Sequence, residues 1–228
     1  MFKIAIDGPA GSGKSTISKI LAKELGFEYV DTGAMYRAVT LKALRLGINM
    51  ENESEYNFLE STNLDICNGR FIMDNEDVSE QIRSVEVTNA VSTPSKIGYV
   101  RDYLVDYQRK ICNSKNCIVD GRDIGTVVLP DASLKIYLDA SIEGRATRRM
   151  LERALKGVNL SLEETIKEIE LRDYKDSTRK HSPLRCAEDA IVIDSTDLSI
   201  DEVVSRILLL VNERTKKWVN TLIVKDKM

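Results

Sequence analysis

The chain has little of what marks a metal centre or an acid–base site. Its 228 residues include one histidine, His181, and four cysteines. His181 follows Lys180 in a polar stretch bounded by Pro183, which suits a surface histidine better than a catalytic base. Cys67, Cys112, Cys117 and Cys186 have no close metal-ligand spacing. Asn113 to Asn116 separate the middle two, too wide for a redox pair, so reduced thiols of a cytosolic protein are expected. No apolar run approaches the ~20 residues that span a bilayer, and Asp7 arrives too early for a secretory apolar segment. Neither charge sign dominates: 33 Lys and Arg stand against 36 Asp and Glu, a net charge of −3. That balance, without a basic stripe interleaved with aromatics, argues against a nucleic-acid partner. The Asp-x-x-Gly and Asn-Lys-x-Asp patterns of a GTPase are absent, and there are no internal repeats.

What is present is one strong motif near the amino terminus. Gly8, Pro9, Ala10, Gly11, Ser12, Gly13, Lys14, Ser15 and Thr16 fit the phosphate-loop pattern of Gly, four residues, then Gly-Lys-Ser/Thr. An apolar run of strand type precedes it, from Phe2 to Ile6. Ile17, Ile20, Leu21 and Leu25 follow at helical spacing. Strand, glycine loop and helix are the context in which backbone N–H groups close around a polyphosphate. In such a loop Lys14 reaches the β- and γ-phosphates of ATP, and the Ser15 hydroxyl ligates Mg²⁺.

The rest of the chain alternates. Phe27–Val30 reads as a strand, followed by a helix over 34–46 that Gly47 stops. An acidic, helical stretch is expected over 51–62. From Asn63 the period changes to two. Asn68-Gly69 between alternating runs signals a hairpin, so a small antiparallel piece is inserted, over about 63–92. A helix-like stretch over 80–92, a helix over about 97–111, strands at Cys117–Val119, Leu134–Leu138 and Ala190–Ile193, and a last helix over 200–215 complete the reading. Ser161 with Glu164 is a capping box opening a further helix. The tail with Trp218 is expected to be peripheral. Strands that repeatedly end in Asp predict an α/β fold with a central parallel sheet and a site along its carboxyl edge.

Arginines far from the loop carry the next signal. Phosphoryl transfer between two anionic nucleotides must gather negative charge and stabilise it in flight. Arg145, Arg148, Arg149 and Arg153 share a helical face within a charged region, about 142–160. They suit a closing lid, or equally a solvated basic face paired with Glu143 and Glu152. Asp120-Gly-Arg122-Asp123 begins where a buried strand ends, so its charges are expected in the cleft. Arg172, Asp176 and Arg179 share one helical face, as site residues or as a surface ladder.

With these residues named, the chain resembles bacterial cytidylate kinases. The matching segments run in order: Ile4 to Thr16, Asp31 to Arg37, Val87 to Ser92, Val100-Arg101, Asp120 to Val128, Lys135 to Ser141, Arg145 to Met150, Glu170 to Arg179 and Ile193 to Thr196. The resemblance implies a three-layer P-loop fold with an NMP-binding insertion and a helical lid. It implies transfer of phosphate from ATP to CMP or dCMP with Mg²⁺, in a cytoplasmic monomer with no membrane or nucleic-acid partner. By position, Arg37, Arg122 and Arg179 correspond to ligands of the CMP phosphate, with Thr32 beside them. Ser92, Arg101 and Asp123 match the cytosine-reading positions, and Arg172 and Asp176 the ribose contacts. Lys14, Arg122, Arg149 and Arg179 are the expected catalytic set, and Asp120 is a candidate for holding a Mg²⁺-bound water. Other nucleoside monophosphate kinases, a non-catalytic nucleotide sensor and a nucleic-acid-dependent ATPase are the rival readings.

Overall fold

The computed structural model describes residues 1–67, 70–155, 157 and 160–225. Five short strands form one all-parallel sheet: β1 (Lys3–Asp7), β2 (Glu28–Asp31), β6 (Cys117–Gly121), β7 (Leu134–Asp139) and β8 (Ile191–Asp194), in the order β2-β6-β1-β7-β8. Its central strands are apolar on both faces, as a sheet covered on both sides requires. Side chains alternate between two cores. Ala5, Val30, Cys117 and Val119 face one layer, with helices α2 (Thr32–Leu46) and α4 (Gly98–Cys112). Ile4, Ile6, Ile118, Leu134 and Ile136 face the other, with α1 (Lys14–Leu25) and α7 (Ile200–Lys225). This is the three-layer arrangement expected from the sequence.

The insertion is a separate three-stranded antiparallel sheet, β3 (Leu64–Cys67), β4 (Arg70–Met73) and β5 (Glu76–Asp77), followed by α3 (Val85–Ala90). The expected β3–β4 hairpin pairs Leu64 with Met73, while Asn68 and Gly69, where its turn was expected, lie outside the described residues. A second turn was not expected. Asp74 and Asn75 both take positive φ, 51° and 69°, which the tight β4–β5 connection needs.

Other boundaries differ for identifiable reasons. Helix α2 starts at Thr32, because the Asp31 side chain caps it by accepting from Ala34 N at 2.8 Å. The stretch over 80–92 is broken: a 3₁₀ turn covers Gln81–Arg83, and Ser84 then caps α3. The acidic stretch is a 3₁₀ segment, Glu53–Ser61. The last helix runs past 215, to Lys225, while the side chain of Trp218 lies outside the description. Helices α5 (Ile142–Ala154) and α6 (Leu162–Thr178) form a pair over the phosphate loop, and α6 opens with the expected capping box.

Candidate active site

All strands of the large sheet point the same way, so β1, β2, β6 and β7 deliver Asp7, Asp31, Asp120 and Asp139 to one edge. A cavity of about 690 Å³ lies along that edge. The loop from Ala10 to Thr16 lines one side of it. Thr32, Arg37, Ser92, Arg101, Arg122, Asp123, Arg149, Arg172, Asp176 and Arg179 line the same cavity. Every acceptor-side residue singled out in the sequence is therefore drawn into one space, although these residues come from α2, the insertion, α4, the turn after β6, and the α5–α6 pair.

The loop leaves β1 at Gly8, whose φ is +152°; a Cβ there would lie 2.1 Å from the carbonyl oxygen of Leu138 on β7. Gly8 and Pro9 thus shape the loop from behind. Gly11 and Gly13 take φ of +77° and +91°, the conformations that turn backbone N–H groups inward. Lys14 is buried and donates from Nζ to Pro9 O at 2.6 Å and to Ser12 Oγ at 3.1 Å. Burial, with Arg122 nearby, holds its ammonium well below the ordinary lysine range. Ser15 Oγ donates to Asp120 Oδ2 at 2.6 Å, and Tyr29 OH donates to the other carboxylate oxygen at 3.3 Å. Burial pushes Asp120 up to about 6, with Asp31 adding to the effect.

On the opposite side, arginines and carboxylates interlock. Arg122 Nε donates to Asp176 Oδ2 at 2.8 Å. Asp123 is bound by Arg101 and, at 3.4 Å, by Arg179. Burial works against ionised Asp176, but Arg122, Arg172 and Arg179 hold its pKa below the usual carboxylate range. Burial and the Arg122 charge push Arg172 down to about 10. Burial is the larger cause of that depression, with the neighbouring Arg122 and Arg149 charges adding to it and Asp176 opposing them.

The four α5 arginines divide. Arg145 is buried and holds Ala140 O, Ala10 O and Asp173, so it is part of the loop's mounting and does not face the cavity. Arg148 Nη1 reaches Ser195 Oγ at 3.0 Å and Ser12 O at 3.4 Å. Arg149 pairs with Glu152 at 3.1 Å and Arg153 with Glu168 at 2.6 Å. Only Arg148 and Arg149 line the cavity. The single shared face expected from spacing is therefore split among mounting, cavity and salt-bridge roles.

The sequence reading gave no site role to several residues that matter here. Asp7 accepts from Ile124 N at 2.8 Å and Gly125 N at 2.7 Å, fixing the turn that carries Asp123. Tyr36 lies under Arg101, its ring centroid 5.3 Å from the guanidinium carbon, and its buried hydroxyl has no hydrogen-bond partner among the described residues. Asp173 bonds to the loop at Ala10 N. The strand-end Asp pattern already pointed to Asp7. Tyr36 and Asp173 had no signal beyond lying within the matched segments Asp31 to Arg37 and Glu170 to Arg179.

The cytidylate kinase family model matches residues 4–213. The chain belongs to the cytidylate kinase family. The cytidylate kinase of Caldanaerobacter subterraneus subsp. tengcongensis is 52% identical over 215 residues, covering 94% of this chain and 96% of the relative. That of Thermotoga neapolitana is 50% identical over 217 residues, covering 94% and 99%. Among solved structures, an uncharacterised protein from Eubacterium ventriosum aligns with a TM-score of 0.53 at 13% identity, covering 93% of this chain and 99% of its own. A gluconokinase from Sinorhizobium meliloti aligns at 0.50 and 11%, covering 96% and 97%, a likeness of fold alone. Within this family member no helix among the described residues is long and apolar enough to cross a membrane.

Proposed function

We propose that the cavity is the active site for transfer of the γ-phosphoryl group of ATP to CMP or dCMP, giving ADP and CDP or dCDP. The observation that carries this reading is the gathering of two charge-binding halves around one space: the phosphate loop on one side, and Arg37, Arg122, Arg172 and Arg179 on the other. ATP lies along the loop from Gly8 to Thr16, and Lys14 leaves Pro9 O to meet the β- and γ-phosphates. The CMP phosphate lies among Arg37, Arg122 and Arg179, with Thr32 beside it. Its oxygen attacks the γ-phosphorus in line, and the bond to the β–γ bridging oxygen breaks, releasing ADP. Lys14, Arg122, Arg149 and Arg179 stabilise the charge in flight.

Mg²⁺ fits the donor side. The Ser15 hydroxyl would be its protein ligand, and Asp120, already bonded to that hydroxyl, would hold one of its waters. Bound there, the ion would neutralise charge on the β- and γ-phosphates. The insertion, about 63–92, acts as the NMP-binding part and the region about 142–160 as the lid that excludes water.

Cytosine is read by Ser92, Arg101 and Asp123, and the ribose by Arg172 and Asp176. A carboxylate at Asp123 accepts from the cytosine amine, whereas uracil turns an oxygen toward it and leaves both unpaired. Steady-state assays of ADP release with CMP, dCMP, UMP and AMP test the reading. CMP and dCMP are the expected substrates. Asp123→Ala is expected to lower kcat/KM for CMP by about ten- to hundredfold, as loss of a charge-assisted hydrogen bond would, and to narrow the preference over UMP. An unchanged preference removes Asp123 from the base site; no turnover with any monophosphate overturns the kinase assignment.

A further inference from the structure

The peptide group joining Pro9 to Ala10 is held at both ends. Its carbonyl accepts from Lys14 Nζ at 2.6 Å, and its N–H donates to Asp173 Oδ1 at 2.8 Å. The next carbonyl, Ala10 O, accepts from Arg145 Nη1 at 2.9 Å, and the same nitrogen binds Asp173 Oδ2. A ring therefore closes through the loop backbone, α5 and α6. Arg145 Nε is anchored to Ala140 O at 3.0 Å, and Ala10 packs against Ala146 and Ile169 beneath the ring. Gly11 completes the close fit, since a Cβ there would meet Arg145 O at 3.0 Å. The tip of the phosphate loop is thus built into the α5–α6 pair.

Asp173 is adjacent in sequence to Arg172 and one helical turn before Asp176, both facing the cavity. In the ATP complex proposed above, Lys14 is the group that changes partner. While it sits on Pro9 O, both ends of that peptide are fixed. Once it moves to phosphate, the carbonyl keeps only the weaker bond from Ser12 Oγ, at 3.1 Å, while Asp173 still holds the N–H. The two positions of Lys14 therefore correspond to two states of the link to α6, as coupling between sites requires.

We propose that Asp173 and Arg145 are positioning residues that couple the two nucleotide sites. Filling the donor loop resets the Pro9–Ala10 peptide, and through it the placement of Arg172 and Asp176, so that CMP binds more tightly when the donor site is occupied. By reciprocity CMP tightens the donor nucleotide equally. The inference rests on the ATP and CMP sites proposed above.

Calorimetric titration of CMP into the full chain, alone and with a saturating non-hydrolysable ATP analogue, tests it. The wild type is expected to bind CMP about fivefold or more tighter with the analogue, the lower end of common coupling factors. Asp173→Asn is expected to bind CMP alone within about twofold of wild type, yet to tighten by less than about twofold with the analogue. Asp173→Asn showing the wild-type tightening overturns the proposal, and so does a wild type that binds both nucleotides independently. If Asp173→Asn does not fold, Arg145→Lys carries the same test, because one ammonium cannot hold Ala10 O, Asp173 and Ala140 O together. A wild type that binds neither nucleotide defeats the kinase reading itself, which separates that failure from failure of the coupling.

Discussion

At the residue scale, Asp7 shows how a carboxylate that does not line the cavity can govern its shape. It ends β1, one residue before the phosphate loop, and its two oxygens accept from Ile124 N and Gly125 N, directly after Asp123. Burial pushes its pKa from 3.8 up to about 6, against the backbone donors that favour the charge. The folded state thus holds the proton more tightly than the unfolded chain, so this group's contribution to stability falls as pH rises from about 4 to about 6. Asp7→Asn removes that dependence. Between about pH 4.5 and about pH 7.5 the unfolding free energy of the variant, relative to wild type, is expected to rise by about 2 kcal/mol. An amide can accept only one of the two N–H bonds and turns its own donor toward the other. The loop bearing Asp123 then shifts, and kcat/KM for CMP is expected to fall by about tenfold, the effect of one lost bond to a charged acceptor. Denaturant unfolding and steady-state kinetics on the same variant check both. A stability gap that stays flat with pH would show that Asp7 is not the group titrating.

At the element scale, Gly8 shows what the crossing from strand to loop demands. Its backbone passes so close to β7 that a Cβ would lie 2.1 Å from Leu138 O, a backbone atom that cannot swing aside, and its φ is positive. Gly8→Ala is expected to displace the loop from the end of β1 and weaken binding of an ATP analogue by at least about tenfold. Its effect on CMP binding alone is expected to be smaller; loss of at least about 1.4 kcal/mol of donor affinity is the threshold, measured by titration. Analogue affinity at wild-type level would mean that the loop tolerates the side chain. This glycine was legible in the sequence as part of a motif, but its contact with β7 was not, because Leu138 is far along the chain. The same limit runs through the fold. Strands and helices with a clear apolar period were legible, and the Asp residues at strand ends pointed to the edge along which the cavity lies. The Asp74-Asn75 turn, the break at Ser84 and the π-helical turn Ile124–Val128 were not, since each depends on local backbone bonds to one side chain or one neighbouring strand. Spacing put four α5 arginines on one face, but contacts with Asp173, Ser195 and Glu168, distant in sequence, and with Glu152 on the same helix decide what each one does.

At the scale of the whole molecule, the net charge of −3 hides a divided surface. Lys14, Lys19, Arg37, Arg83, Arg101, Arg122, Arg148, Arg149, Arg172 and Arg179 line the cavity, against Asp31, Asp120, Asp123, Glu152, Glu168 and Asp176. Ten cations face six carboxylates, so the cleft is positive in an acidic protein. A concave, low-dielectric wall focuses that excess on arriving nucleotides. Salt should act on this attraction selectively. Screening shortens from about 10 Å at about 0.1 M to about 3 Å at about 1 M ionic strength, which spans the width of a phosphate's surroundings. Raising KCl from about 0.05 M to about 0.5 M is therefore expected to lower kcat/KM for CMP by about tenfold, mainly through KM. Cytidine, which presents the same base and ribose without phosphate, is expected to inhibit with a constant that changes by less than about twofold over that range. Equal weakening of both would mean that the arginines act through the base and ribose contacts, and that the positive cleft contributes nothing of its own to capture of the phosphate.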